Sequence, residues 1–117
     1  MKLLVVDDEK NILKLYKAEL EDEGYTVITA NSGKEAIELF EKENPDLVTL
    51  DILMPDIDGI RVLRQMKEMR PNVPVIMLTA YDYRDDFSVW VSDAYVVKSS
   101  DLTTLKATIK QIIEKGQ

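Results

Sequence analysis

Side chains able to do chemistry together stand at four places in this 117-residue chain, each just after a short apolar run. Asp7 and Asp8 follow Leu3 to Val6, Asp51 follows Leu47 to Leu50, Thr79 follows Val73 to Leu78, and Lys98 follows Ala94 to Val97. Such runs have the pattern of strands buried on both faces, and in each case a polar residue stops them. A parallel sheet brings the C-terminal ends of its strands to one edge, which is where open α/β sheets hold their ligands. Asp7, Asp8, Asp51, Thr79 and Lys98 are therefore expected to converge. Carboxylates crowded together repel one another and need a cation. The chain has neither Cys nor His, so the donors are oxygens and the natural ion is Mg²⁺. A metal ion, an ammonium and a hydroxyl around one aspartate suit transfer of a phosphoryl group onto that aspartate, here Asp51. Mg²⁺ and Lys98 would offset charge on the equatorial oxygens, and Thr79 would donate to one of them.

Taken singly, each residue has a plainer role. Asp7 and Asp8 could cap a helix ahead of Asn11, and Asp51 could form the turn before Pro55. Thr79 alone reads as a strand-end residue and Lys98 as a solvated charge. The joint placement at four strand ends outweighs these separate readings. Trp90 and the five methionines are assigned to packing.

The elements that must position these residues alternate along the chain. Leu3 to Val6 is a first strand. Asn11 to Glu23 has Ile12, Leu13, Tyr16 and Leu20 at helical spacing and ends at Gly24. Tyr25 to Ala30, rich in β-branched residues, is a second strand. Ser32 and Glu35 fit a capping box for a helix that buries Ala36, Ile37 and Phe40 and stops at Asn44-Pro45. After the third strand, Met54-Pro55 and Gly59 lead into a helix that turns Ile60, Leu63, Met66 and Met69 inward and ends before Pro71. Val73 to Leu78 is the fourth strand, with Pro74 at its start. Asp82 to Ser92 is a short helical stretch carrying Phe87, Trp90 and Val91. Ala94 to Val97 is a brief fifth strand. Ser100 or Asp101 caps a last helix with Leu102, Leu105, Ile109, Ile112 and Ile113 on one face. Five β-α units in succession imply one doubly wound parallel sheet with helices on both faces and right-handed crossovers. No repeat or linker divides residues 1–117, which read as a single domain.

Composition narrows the function further. With 45% hydrophobic and 32% charged residues the chain is an ordinary globular protein. No apolar run approaches a membrane span, and Leu3 to Val6 meets Asp7 too early for a signal peptide, so a cytoplasmic location is expected. A net charge of −7 argues against direct contact with nucleic acid. Without Cys or His there is no disulfide, thiolate zinc site, histidine triad or phosphohistidine carrier in this chain.

These residues resemble the receiver domain of bacterial two-component response regulators, over essentially the whole chain. The resemblance rests on Val5-Val6-Asp7-Asp8-Glu9, on Asp51 through Met54-Pro55 to Gly59, on Met77-Leu78-Thr79-Ala80 and on Tyr95-Val96-Val97-Lys98. It implies a flavodoxin-like fold with a five-stranded sheet in the order 2-1-3-4-5, for which the chemotaxis member of this family is a standard illustration. It also implies that Asp51 takes its phosphoryl group from the phosphohistidine of a sensor histidine kinase or phosphotransfer protein. Asp8, Asp51 and the Leu53 backbone carbonyl would bind Mg²⁺ directly, and Asp7 through a water. Lys98 would pair with the phosphoryl group, Thr79 would be drawn toward it, and the Ala80 N–H would approach it. Tyr95 would turn inward once Thr79 moves. The output would pass to a downstream protein target or a fused effector, in a switch that assists its own phosphorylation and acts on no external substrate.

The sequence departs from the family pattern in two places. Ser99 stands where a proline usually follows the lysine, and a cis bond before a non-proline residue costs ~3–4 kcal/mol, so a trans bond and a rearranged loop are expected. The stretch from Thr79 to Lys98 is short, so the fourth helix is expected to be truncated or irregular. Leu53 and Tyr81, both bulky, lie two residues beyond Asp51 and Thr79, at family positions that influence attack by water; slow self-dephosphorylation is expected. The main alternative is a receiver-like interaction module acting without phosphorylation. A phosphohydrolase would want a second aspartate where Leu53 stands, and a flavodoxin would want phosphate-binding hydroxyls and glycines where Asp7-Asp8-Glu9 stand. With no effector segment after Gln117, a free-standing protein and a receiver cut from a longer one are both open.

Overall fold

The computed structural model describes residues 1–51, 59–79, 94–97 and 102–115, with Thr79, Ala94, Tyr95 and Val97 described in their backbone. Five strands, β1 (Lys2–Val6), β2 (Thr26–Ala30), β3 (Leu47–Asp51), β4 (Val75–Thr79) and β5 (Ala94–Val97), form one sheet. Its order is β2-β1-β3-β4-β5 and every pairing is parallel. Four helices accompany it among the described residues: α1 (Lys10–Asp22), α2 (Gly33–Glu43), α3 (Gly59–Met69) and α4 (Thr103–Lys115). The helical stretch expected over Asp82 to Ser92 lies outside the described residues, as do the bond between Lys98 and Ser99 and the cap at Ser100 or Asp101.

The strands read as unbroken apolar runs because both faces of the sheet are covered. Leu4, Val6, Val48, Leu50, Val75 and Met77 pack against Ala36 and Phe40 of α2 and Val62, Leu63 and Met66 of α3. On the opposite face Leu3, Val5, Leu47, Ile76, Leu78 and Val96 meet Leu13, Tyr16 and Leu20 of α1 and Leu105 and Ile109 of α4. Period-two alternation thus divides β1, β2, β3 and β4 between two cores. Burying one such side chain is worth about 1.5–3 kcal/mol, so each of these four strands is anchored twice over.

The element boundaries follow from local chemistry. Ser32 Oγ accepts from the Glu35 N–H at 3.1 Å, which starts α2. Glu35 Oε1 in turn accepts the N–H of Asn31 rather than that of Ser32, so the box is closed one residue early. Asn44 ends α2 in the left-handed region at φ 50°, and its N–H returns to Phe40 O. Gly24 ends α1 at φ 96°, where a Cβ would be strained.

Some expected edges moved. The N–H of Tyr25 is drawn back to Leu20 O, which delays β2 to Thr26. The fourth strand begins at Val75 rather than Val73, because the Val73 N–H closes a turn onto Arg70 O and Pro74 has no N–H to offer. Pro74 still contributes its carbonyl to Val48 of β3. Met69, expected inside, is 37% exposed; Val62 takes a buried place two turns earlier.

Candidate functional site

Asp7 is the residue immediately after β1, and Asp51 is the last of β3. The register pairs Val6 with Leu50, so the next position on each strand lies side by side at the C-terminal rim of the sheet. One carboxylate oxygen from each of Asp7, Asp8 and Asp51 lies within 4.8 Å of the others. Asp7 is 1% exposed and Asp51 5%, whereas Asp8 opens to solvent. This is the convergence expected from the sequence for the three acids.

The capping role considered for Asp7 and Asp8 takes a different form. The residue that opens α1 is Glu9, and its side chain makes no cap bond. Asp7 Oδ1 accepts the Glu9 N–H at 2.9 Å, an Asx-type turn that fixes the carboxylate by one oxygen. The bond from Asp7 N–H to Ala30 O at 3.1 Å holds the backbone at the same point. Asp7 therefore holds the turn into α1 and also stands in the acidic cluster. The Glu9 amide is the part of the site that side-chain reasoning missed; an aspartate two residues before a helix start was the available signal.

Thr79 closes β4, its backbone paired with Val97, and Asp51 is paired with Leu78 next to it. Tyr95 of β5 is paired with Met77 of β4. Thr79 thus ends the strand next to that of Asp51, and the backbone of Tyr95 lies one strand further out. Lys98, Ala80 and Leu53 lie outside the described residues.

The donor set tests the expected metal. Two buried carboxylates and one exposed, within coordinating reach of each other and free of nitrogen or sulfur donors, match a hard divalent cation approached from solvent. The choice of oxygen ligands and the open side fit Mg²⁺, which keeps several of its waters when bound. Burial lowers the Arg70 pKa, with Asp46 partly opposing, while the guanidinium stacks 4.3 Å over Phe40 and donates to Pro45 O at 2.8 Å. Lys106 of α4 is raised by its hydrogen bond to Glu19 of α1 at 2.7 Å, with Glu23 at 3.5 Å.

The parallel sheet and its acidic rim define a class of α/β signalling domain, and comparison with known proteins identifies it. Residues 3–110 match the response regulator receiver domain, and the chain belongs to that family of phosphorylation-dependent switches. It is 39% identical over 119 residues to the alkaline phosphatase synthesis transcriptional regulatory protein PhoP of Bacillus subtilis, covering 99% of this chain and 50% of that protein. The probable transcriptional regulator ycf27 of Guillardia theta is 41% identical over 117 residues, covering 97% of this chain and 46% of the relative. The chain spans about half the length of the curated relatives it matches. Among solved structures, the Thermotoga maritima response regulator TrrA in complex with Mg²⁺ and BeF superposes with a TM-score of 0.90 at 47% identity. That match covers 94% of this chain and 96% of the other. The same regulator in complex with the histidine kinase ThkA gives a TM-score of 0.88 over the same shares and at the same identity. No helix among the described residues is long and apolar enough to cross a membrane.

Proposed function

We propose that Asp51 is the phosphoacceptor of this receiver domain and that residues 1–117 work as one unit around it. An Asp51 carboxylate oxygen attacks the phosphorus of a phosphohistidine on a partner kinase or phosphotransfer protein. A P–O bond forms, the P–N bond breaks, and its electron pair stays on the imidazole. Asp8, Asp51 and the Leu53 carbonyl would hold Mg²⁺ directly, with Asp7 acting through a water. The ion supplies positive charge to the equatorial oxygens when bound. Lys98 supplies a second positive charge, Thr79 a hydroxyl and Ala80 an N–H, and Tyr95 follows Thr79 to change the output surface. The carrying observation is the approach of three carboxylates to within 4.8 Å at the rim. The Mg²⁺–BeF complex and the kinase complex of the Thermotoga regulator support the same reading.

The switch acts in the cytoplasm, on no external substrate, and passes its signal to a protein target or a fused effector. The transcriptional regulators that it matches are about twice its length, which supports an effector as the DNA-contacting part. The acidic receiver itself does not touch nucleic acid.

Intact mass after incubation with acetyl phosphate and Mg²⁺ tests this. Wild type is expected to gain one phosphoryl group, and neither Asp51→Asn nor the chelated wild type should. Equal labelling of the Asn variant removes Asp51 from its role. An unlabelled wild type, under conditions that label a control receiver, marks an interaction module acting without phosphorylation. With Leu53 and Tyr81 both bulky, the labelled form should outlast minutes.

A further inference from the structure

Among the described residues β2 is an edge strand, paired with β1 alone, and its outer edge is open to a cleft between α1 and α2. The Thr26 N–H donates to Met1 O, and Ala30 O accepts from the Asp7 N–H, so residues 26, 28 and 30 turn their backbone groups toward β1. Strand alternation then turns those of Val27 and Thr29 outward. Lys17 Nζ meets this edge, at 3.4 Å from Val27 O. That is longer than an ordinary N–H···O bond, and the incoming N–H of another strand would displace it.

The cleft has two differently charged walls. Toward the rim it holds about 250 Å³, and Lys10, Lys14 and Lys17 of α1 line it together with Thr29. It continues past Lys17 and Thr29 into a wider part of about 600 Å³, where Ile28 and Leu39 offer a partly apolar surface on the α2 side. The lysine row runs against the charge of a chain whose net is −7. Among the described residues Lys10 and Lys14 have no ion-pair partner, and that of Lys17 is the exposed Glu21, 3.8 Å away. The carboxylates in the cleft are Glu35 and Glu38 of α2, and Glu35 already accepts the Asn31 N–H.

We propose that the open edge of β2 docks an extended acidic segment of a partner protein as an added strand. The backbone of that segment exchanges hydrogen bonds with Val27 and Thr29. Its alternate side chains fall on opposite faces of the sheet. Those on the α1 face meet Lys10, Lys14 and Lys17 and are acidic; those on the α2 face meet Ile28 and Leu39 and are apolar. The ligand pattern is thus acidic and apolar in alternation. An anionic nucleic acid or membrane would instead confront the whole acidic surface of the domain. This surface is separate from the acidic rim and does not depend on Asp51 accepting phosphate.

Amide NMR titration of the full chain with a blocked eight-residue peptide of alternating Glu and Val tests the proposal, with Gln–Val and Lys–Val peptides as controls. Shifts confined to residues 27–31 and the facing turns of α1, weakening as salt rises, are expected. Lys10→Glu combined with Lys14→Glu should weaken binding by about tenfold or more, since two attractive contacts become repulsive. Lys110→Glu, on the exposed side of α4, should leave it unchanged. All three lysines are exposed, and an unchanged spectrum outside the cleft shows that each variant is folded. Absence of shifts, equal binding of the Gln–Val peptide, or shifts centred elsewhere would overturn the proposal. So would self-association of the free chain through β2, which would make the occupant a second copy.

Discussion

Replacing Asp51 with Asn keeps the shape of the side chain and removes one charge from a cluster whose oxygens lie within 4.8 Å. At that spacing two unit charges repel by roughly 3 kcal/mol in an effective dielectric of about 20. Two of the three pairwise repulsions involve residue 51. The one with Asp7, which is 1% exposed, keeps most of its strength; the one with Asp8, open to solvent, is largely screened. Asp51 also has interactions of its own that an amide replaces less well, which lowers the gain. The net expectation is that the Asn variant is about 1–3 kcal/mol more stable than wild type in the presence of a chelator. Metal should reverse the order. An ion that binds the folded state alone stabilises it by about 2.7 kcal/mol at a hundred times its Kd, and wild type should gain this while the Asn variant gains little. Urea unfolding followed by circular dichroism, with chelator or with Mg²⁺, measures all four values. A wild type indifferent to Mg²⁺, or an Asn variant less stable in chelator, would refute the argument that repulsion at the rim is what recruits the ion.

Three further outcomes can be checked by the same unfolding measurements. Thr49 lies fully buried in β3 and its hydroxyl has no hydrogen-bond partner among the described residues, so Thr49→Val should stabilise by about 1–2 kcal/mol; destabilisation would mean that the hydroxyl is satisfied in solution. Ser32→Ala removes the bond that starts α2 and should cost about 1 kcal/mol, against a few tenths for Ser32→Gly. Lys106 and Tyr25 both have pKa values raised in the folded state, the first by Glu19 and the second by burial beside Glu23 and Glu114. Their contribution is complete below the unfolded values near 10 and is lost as pH rises through the folded ones, so stability should fall on the alkaline side, less steeply in Lys106→Met.

The acidic half of the site was legible in the sequence because it depends on strand ends, which polar residues mark sharply. Asp7 and Asp51 each stop an apolar run, and a strand buried on both faces cannot carry a charge further inward. The covering helices were legible too, since Leu13, Tyr16 and Leu20, or Ala36 and Phe40, recur at helical spacing. What could not be read depends on backbone hydrogen bonds that span elements. Nothing in the side chain of Val73 says that its N–H will turn back to Arg70, and nothing in Glu35 says that it will reach Asn31 rather than Ser32. The lysine row on α1 was missed for another reason. Lysines at i, i+4 and i+7 on a helix look like an ordinary solvated face until the open edge of β2 is known to run beside them.

The rim and the edge of the sheet share one origin. Parallel pairing places β1 at the centre of a three-strand unit with β2 outside and β3 inside, so one strand end supplies Asp7 to the acidic cluster while its outer neighbour is left half-paired. The chain between them, from Asp8 through Lys10 into α1, passes from negative to positive within three residues. A cation drawn to the rim and an acidic strand drawn to the cleft therefore answer opposite fields set a single helical turn apart. Slipping the β1–β3 pairing by one residue would carry Asp51 to the level of Val6 and turn the alternation of β3 inside out. The two apolar cores forbid that slip, which is why packing far below the rim decides whether its carboxylates meet.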